Sequence, residues 1–365
     1  MKKILILPFL QIPTGHHQVA DTIRTYLNEI DDSLEIKKVD IFHYTSRLAE
    51  QITSYLYLKA IKMTPSFYSW LYRHNACRLN VADKRYFFYE RIFLKSMKKL
   101  ITYENPDIII CTHCLPSYLL NILKKNGGLS IPVINAYTDY FINTVWGISH
   151  IDLHLVASDK MKNFLELRHV SSEKIAVTGI PVHSEITRKI QKNERQFSPF
   201  NVLVSGGNLG VGQIENIFDT TSFSGKIQYF VLCGKNRKLF YKIAQLQSSY
   251  IKPIPYITSR KEMNRLYEQM DAVLSKPGGI TVSECLRKEI PLCLLHALPG
   301  QEERNQHYLL EENLAIEINP LNMEKSLLLF LEDQEEKQKF KERLSLYTRK
   351  LENINFVLKN FLKRF

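Results

Sequence analysis

The chain has 365 residues, 45% of them hydrophobic, which is more apolar material than one ordinary core holds and predicts two domains of similar size. Lysine and arginine total 49 against 37 aspartates and glutamates, so the surface favours anionic partners: nucleotides, nucleic acid or the anionic face of a membrane. No uncharged apolar run approaches the roughly 18–20 residues that span a bilayer, so any membrane contact is expected to be peripheral.

The opening MKKILILPFLQIP joins a basic start to an apolar stretch, but Pro8 and Pro13 interrupt it and no small-residue cleavage site follows. It therefore reads as a buried first strand rather than a signal peptide. Short runs rich in isoleucine, valine and leucine recur at 3–8, 35–41, 107–112, 132–136, 153–157 and 175–178, the pattern of strands buried on both faces of a parallel sheet. Between the first two, Val19, Ile23, Tyr26, Leu27 and Ile30 fall at helical spacing and put an apolar stripe on one face. Alternation of strand and helix predicts a doubly wound α/β half. Six cysteines at 77, 111, 114, 233, 285 and 293 suit reduced thiols in a cytoplasmic protein, and the pair Cys111 and Cys114 reads as strand-end packing rather than a redox or zinc site.

A polar stretch from Arg188 to Phe200 is the best linker, and the same grammar restarts beyond it with strands near 201–205, 227–232, 271–275, 291–295 and 314–318. The expected organisation is an N-terminal domain over 1–187, a C-terminal domain over 200–340, and a helical tail over 341–365 that packs back on the first domain. Residues 55–93 depart from this grammar, with eleven aromatics and seven lysines or arginines against one aspartate and one glutamate. Aromatic and basic side chains such as Lys59, Lys62, Phe67, Trp70 and Arg73 suit the headgroup level of an anionic membrane. The alternative is a helical insertion whose aromatics are core. Nucleic acid is not expected as a partner, because no RNP or KH pattern accompanies the segment.

The chemistry concentrates at strand ends. In KPGGITVSECL, Gly278 and Gly279 let backbone approach an anion at a helix start, Thr281 adds a hydroxyl, and Glu284 stands about one turn in, where a carboxylate accepts from ribose hydroxyls. VSGGNLG offers Gly206, Gly207 and Gly210 as a second nest, and LPGQEERN displays Gln301 and Glu302 for sugar hydroxyls. In the first half, PTGHHQVA sets Gly15 and His16 between strand and helix, and YTDYFINTVW places Asp139 past the fourth strand. A histidine at a helix N-terminus is held neutral and keeps a nitrogen free for a proton; Asp139 can orient a hydroxyl, act as base itself, or cap the next segment.

The run from Ser275 to Ile316, together with YLYLKA, AYTDY, VTGIPV and LCGKN, resembles the monogalactosyldiacylglycerol synthase and processive diacylglycerol glucosyltransferase family, relatives of the peptidoglycan N-acetylglucosaminyltransferase. The resemblance covers nearly the whole chain. It implies a GT-B fold, with two Rossmann-like domains facing across a cleft, the first binding a lipid acceptor and the second a UDP-sugar. It further implies inverting hexosyl transfer with His16 catalytic, Gly278, Gly279, Thr281 and Glu284 at the diphosphate and ribose, and Gln301 and Glu302 near the sugar. No cofactor is expected, and no metal, since no Asp-x-Asp follows a strand.

Two positions depart from the family pattern: Pro13 stands where relatives usually carry glycine, and Asn143, between Asp139 and Trp146, where they usually carry histidine. Both fall in the acceptor half. The expected activity is transfer of glucose, or galactose, from a UDP-sugar to diacylglycerol or its glycoside by a peripherally membrane-bound cytoplasmic enzyme. A polyprenyl-linked or soluble acceptor, a UDP-N-acetylglucosamine 2-epimerase, and a non-catalytic UDP-sugar-binding protein are the alternatives.

Overall fold

The structure is a computed structural model of the chain, and it describes residues 1–9, 15–40, 85–188, 199–206, 223–295, 297–298 and 300–365. Two units share the chain: Met1–Pro181 with Leu351–Phe365, and Val182–Lys350.

In unit 1, β1 (Lys3–Leu7) leads through α1 (Gly15–Ile30) to β2 (Glu35–Lys38), then α2 (Phe87–Glu104), β3 (Ile108–Cys111), α3 (Cys114–Lys125), β4 (Val133–Ala136), β5 (Leu153–Val156), α4 (Asp159–Glu166) and β6 (Ile175–Val177). The six strands are parallel in the order β2-β1-β3-β4-β5-β6. β3, β4 and β5 are buried at every residue, as their unbroken apolar runs require, whereas β2, at the sheet edge, alternates half-buried with exposed positions. The apolar stripe of α1 faces the core through Val19, Ile23, Tyr26 and Leu27.

Unit 2 repeats the plan. β7 (Phe200–Ser205), β8 (Ile227–Leu232), α5 (Arg237–Gln245), β9 (Ile251–Ile254), α6 (Arg260–Glu268), β10 (Ala272–Ser275), α7 (Gly279–Lys288), β11 (Leu292–Leu294), α8 (Gln301–Glu311), β12 (Ile316–Glu317), α9 (Met323–Glu332) and α10 (Gln334–Lys350) follow in order. The strands are parallel in the order β12-β11-β10-β7-β8-β9. The sequence reading missed β9, because Lys252 and Pro253 break its apolar run; proline is tolerated there because β9 is an edge strand. The chain tail forms three helices. Asp333 accepts from the Glu336 amide at 2.9 Å to start α10, and Asn353 accepts from the Asn355 amide at 2.9 Å to start α11 (Ile354–Leu362).

The division between units falls at 181/182, ahead of the expected 187, and its cause is local. Lys288, at 0% exposure, donates to the Thr187 carbonyl at 2.9 Å and to Asn264 Oδ1 at 2.5 Å, and Arg287 donates to the Ile186 carbonyl at 2.9 Å, so 186–187 are tied to the end of α7. Residues 341–350 likewise belong to unit 2, within α10. Only Leu351–Phe365 joins unit 1, where α11 packs on α1, Lys2 donates to the Leu362 carbonyl at 2.6 Å and Glu352 accepts from the Val177 amide at 2.8 Å.

In each sheet the strand order reverses once, between β1 and β3 and between β7 and β10. Helices leave such a pair of strands in opposite directions and open a crevice at their carboxyl ends, where doubly wound folds bind ligands.

Candidate active site

At the unit 1 switch point α1 and α3 begin. His16, in the first turn of α1, sets Nδ1 2.9 Å from the Thr112 carbonyl and 3.0 Å from Thr138 Oγ1, while Thr112 Oγ1 donates to the His16 carbonyl at 3.0 Å. A carbonyl oxygen only accepts, so Nδ1 carries the proton and Nε2 is left with its lone pair. Burial pushes the His16 pKa down to about 4, with the charge of His17 acting the same way and the Thr112 bond opposing both. At neutral pH the ring is therefore an uncharged proton acceptor whose tautomer is fixed by Thr112, just past β3, and by Thr138.

A second imidazole faces it. His113 caps α3, its Nδ1 accepting from the Leu115 amide at 3.1 Å, so a neutral His113 carries its proton on Nε2. Its ring stacks on Phe9 at 4.4 Å and meets His16 edge to face at 4.6 Å. Burial, then the neighbouring His16, push its pKa well down.

Asp139 is half-buried in the loop after β4, close enough to Cys114 for its charge to help burial push that thiol up to about 12. Asn143 hydrogen-bonds the Cys114 thiol, and its Oδ1 accepts from the Val145 amide at 2.9 Å. Asn143 and Trp146, expected to meet the acceptor, are both interior: Asn143 is 6% exposed, and Trp146, 7% exposed, packs its ring 4.5 Å from Tyr137. They shape the loop that carries Asp139. Gly147 completes it, because a Cβ there would lie 2.5 Å from both Asn121 Cβ and the Ser117 carbonyl on α3. Gly15 opens α1 and is half-buried. Cys111 is buried in β3 and both Cys111 and Cys114 are free thiols.

At the unit 2 switch point β10 runs into the turn that starts α7. Gly278 is the N-cap, with no side chain to satisfy the first-turn amides, and the Val282 amide is the first to return to it, at 3.2 Å. The amides of Gly279, Ile280 and Thr281 have no acceptor among the described residues, and a Cβ built on Gly278 meets nothing within 4 Å. An uncapped helix start facing open space at this position is suited to an anion. Two ties hold the turn. Lys276 Nζ lies 2.6 Å from Glu302 Oε1, and Asn305 donates to the Pro277 carbonyl at 3.1 Å.

Each carboxylate oxygen of the half-buried Glu302 takes one bond inside the unit, Oε2 accepting from the Leu298 amide at 3.0 Å. In the structure it holds Lys276 and the approach to α8. The Gln301 side chain, beside it, makes no hydrogen bond among the described residues. Glu284, 6% exposed, accepts from Tyr267 Oη at 2.8 Å and from Arg260 Nη1 at 3.3 Å, and burial raises its pKa against the pull of Arg260. Gly206 is buried at the end of β7, where Ser275 Oγ donates to the Ser205 carbonyl at 3.1 Å. Gly207, Gly210, Pro13, Lys59, Lys62, Phe67, Trp70 and Arg73 lie outside the described residues. Among the described residues, no three His, Cys, Asp or Glu side chains gather as around a metal ion, and no helix is long and apolar enough to cross a membrane.

Sequence reasoning missed Thr112, His113, Thr138, Lys276, Arg260 and Tyr267. The first three carried a signal all the same, since each directly follows a buried strand or its first loop residue.

Comparison with known proteins decides the family. A Bacillus subtilis protein described as the uncharacterized glycosyltransferase YkoN is 40% identical over 367 residues, covering 100% of this chain and 97% of the relative. The family description Monogalactosyldiacylglycerol (MGDG) synthase matches residues 16–182. A processive diacylglycerol beta-glucosyltransferase of Bacillus mycoides is 30% identical over 329 residues, spanning 87% of this chain and 82% of the relative. The chain belongs to the diacylglycerol glucosyltransferase and monogalactosyldiacylglycerol synthase family of glycosyltransferases. Among solved structures, MurG of Acinetobacter baumannii superposes with a TM-score of 0.62 at 12% identity over 100% of both chains, and the glycotransferase of kitacinnamycin with 0.60 at 13% identity over 100% and 98%. At that identity the likeness concerns the fold, which is GT-B. This glycosyltransferase thus carries the family's two α/β units, with its polar clusters at the two strand-order reversals.

Proposed function

We propose that this glycosyltransferase moves a hexose, glucose first among them, from a UDP-sugar to diacylglycerol or a glycosyldiacylglycerol at a membrane surface, with inversion. The observation that carries the reading is His16: a neutral imidazole whose Nδ1–H is spent on Thr112 and Thr138 and whose Nε2 is open to a proton. In the reaction the acceptor O–H bond breaks, its proton passes to Nε2, and the oxygen forms a bond to the anomeric carbon. The bond from that carbon to the diphosphate breaks, and its electron pair leaves with UDP. A β-glucoside made from an α-linked nucleotide sugar requires one displacement, hence inversion. The negative charge that grows on the diphosphate is met by the open amides at the start of α7, a preorganised electrostatic contribution that needs no cofactor. Asp139 orients the acceptor hydroxyl, and Glu284, held by Arg260 and Tyr267, meets the ribose.

The test is incubation of the purified protein with UDP-glucose, UDP-galactose or UDP-N-acetylglucosamine plus diacylglycerol, its glucoside or a membrane lipid extract. UDP release and the mass of new lipids are read together. One hexose mass added to diacylglycerol, lost in His16→Ala, supports the reading. Conversion of the nucleotide sugar without acceptor would point to an epimerase, transfer only to a soluble acceptor would remove the lipid, and binding without UDP release would leave a sensor.

A further inference from the structure

The crevice at the β1/β3 reversal holds a second imidazole, and proton transfer to His16 makes no use of it. β1 and β3 pair Leu7 with Cys111, so Phe9 and His113, each two residues past the pair, lie side by side, and their rings stack at 4.4 Å with 16° between the planes. His113 also caps α3. Its Nδ1 accepts from the Leu115 amide at 3.1 Å and lies 3.9 Å from the Cys114 thiol, which keeps its proton because burial pushes its pKa up to about 12. Two donors on Nδ1 put the ring proton on Nε2. That N–H makes no hydrogen bond among the described residues, and His113 is half-buried rather than sealed in the core.

The two rings are complementary. His16 presents a lone pair on Nε2 and His113 a fixed proton on Nε2, and the ring centres are 4.6 Å apart, edge to face. Two hydrogen bonds of about 2.8 Å to a single oxygen span up to about 5.6 Å, so one hydroxyl oxygen can be reached from both rings. As a base draws the proton off an alcohol, negative charge gathers on the oxygen, and the base alone leaves that charge unmet. A donor already held in place beside the oxygen lowers the barrier. The first turns of α1 and α3 favour the same charge, since each presents a helix N-terminus at this crevice. We infer that His113 is a second catalytic residue: its Nε2–H donates to the oxygen of the attacking hydroxyl while His16 Nε2 takes that hydroxyl's proton. His113 itself gains and loses no proton. The inference rests on the glycosyl transfer proposed above, and its test tells the two apart.

Two variants divide the functions of the ring. In H113N the amide oxygen stands where Nδ1 stands and keeps the cap, but no donor reaches the Nε2 position; in H113Q an amide N–H reaches that position and the cap is weakened. UDP release and hexosyl-lipid formation are measured for the full chain and both variants on diacylglycerol in neutral detergent, with UDP-glucose affinity by calorimetry and thermal melts alongside. H113N is expected to lose about 10- to 100-fold in kcat, with acceptor KM and donor affinity within about twofold of the parent, and to melt with the parent. H113Q is expected to recover most of that loss, to within about fivefold of the parent, while melting about 2–4 °C lower. Parent-like turnover of H113N overturns the inference, as does a loss of turnover in H113Q alone, which would leave His113 a helix cap. Equal loss in both variants overturns it too, by requiring an imidazole that carries the proton itself. A parent that transfers only to a soluble alcohol removes the lipid acceptor, and the contrast between H113N and H113Q on that alcohol then decides the role of His113 in the same way. A parent that releases no UDP with any acceptor overturns the transferase reading and this role together, an outcome that no pattern among the variants imitates.

Discussion

The strongest quantitative consequence of the site is the pH range over which His16 works. An imidazole with the ordinary pKa near 6.5 is only about 3% neutral at pH 5, whereas one pushed down to about 4 is about 90% neutral there. Measured as UDP release with detergent-dispersed acceptor, kcat/KM is therefore expected to stay within about 1.2-fold between pH 7.5 and pH 5 and to halve near pH 4, against a roughly 30-fold loss at pH 5 for an unperturbed base. Stability must be followed in parallel. Because the unfolded ring binds a proton that the folded ring refuses, stability is complete above about 6.5 and is lost as pH falls toward 4, by about 2 kcal/mol at pH 5 from His16 alone. Rates are thus taken within the folded range given by the melts. A limb centred near 6.5 refutes the neutral base. A limb near 4 that disappears in Asp139→Asn but survives in His16→Asn assigns the proton to Asp139 instead.

His154, 0% exposed with Nε2 unpartnered, has its pKa pushed down to about 3, so His154→Leu should remove about 2 kcal/mol of the stability lost between pH 7 and pH 5, read by denaturant melts. Gly147→Ala forces a methyl into contacts of 2.5 Å and should cost about 1–3 kcal/mol, lowering the melting temperature and slowing turnover through the Asp139 loop. Lys276→Met breaks the tie between the α7 turn and Glu302 and should raise the donor KM about tenfold with a smaller change in acceptor KM. Tyr267→Phe leaves Glu284 with Arg260 alone and should cost about 1.5–3 kcal/mol in stability, with weaker UDP binding by calorimetry.

Much of the architecture was legible because fully buried parallel strands write unbroken apolar runs; Ile108 to Cys111 could be read directly. β9 was not, since Lys252 and Pro253 are tolerated only at an edge, and edges are a property of the assembled sheet. The glycines of the α7 turn and His16 stood out because helix starts after strands have a fixed chemistry. What escaped was the support around them. Thr138 lies 122 residues from the imidazole it holds, and Glu284 depends on Tyr267 and Arg260 across two helices, pairings that only the tertiary fold creates. Trp146 shows the converse: an aromatic side chain of a type suited to a ligand, packed by the fold against Tyr137 in the core.

The account turns on proton transfer to His16 Nε2 during hexosyl transfer. The direct measurement is the single-turnover rate of His16→Ala on diacylglycerol, with UDP-glucose affinity taken on the same protein by calorimetry. Loss of a general base predicts a rate lower by about 10²–10⁴-fold with donor affinity within about twofold of the parent. A variant that still transfers glucose within a few-fold of the parent rate would contradict it.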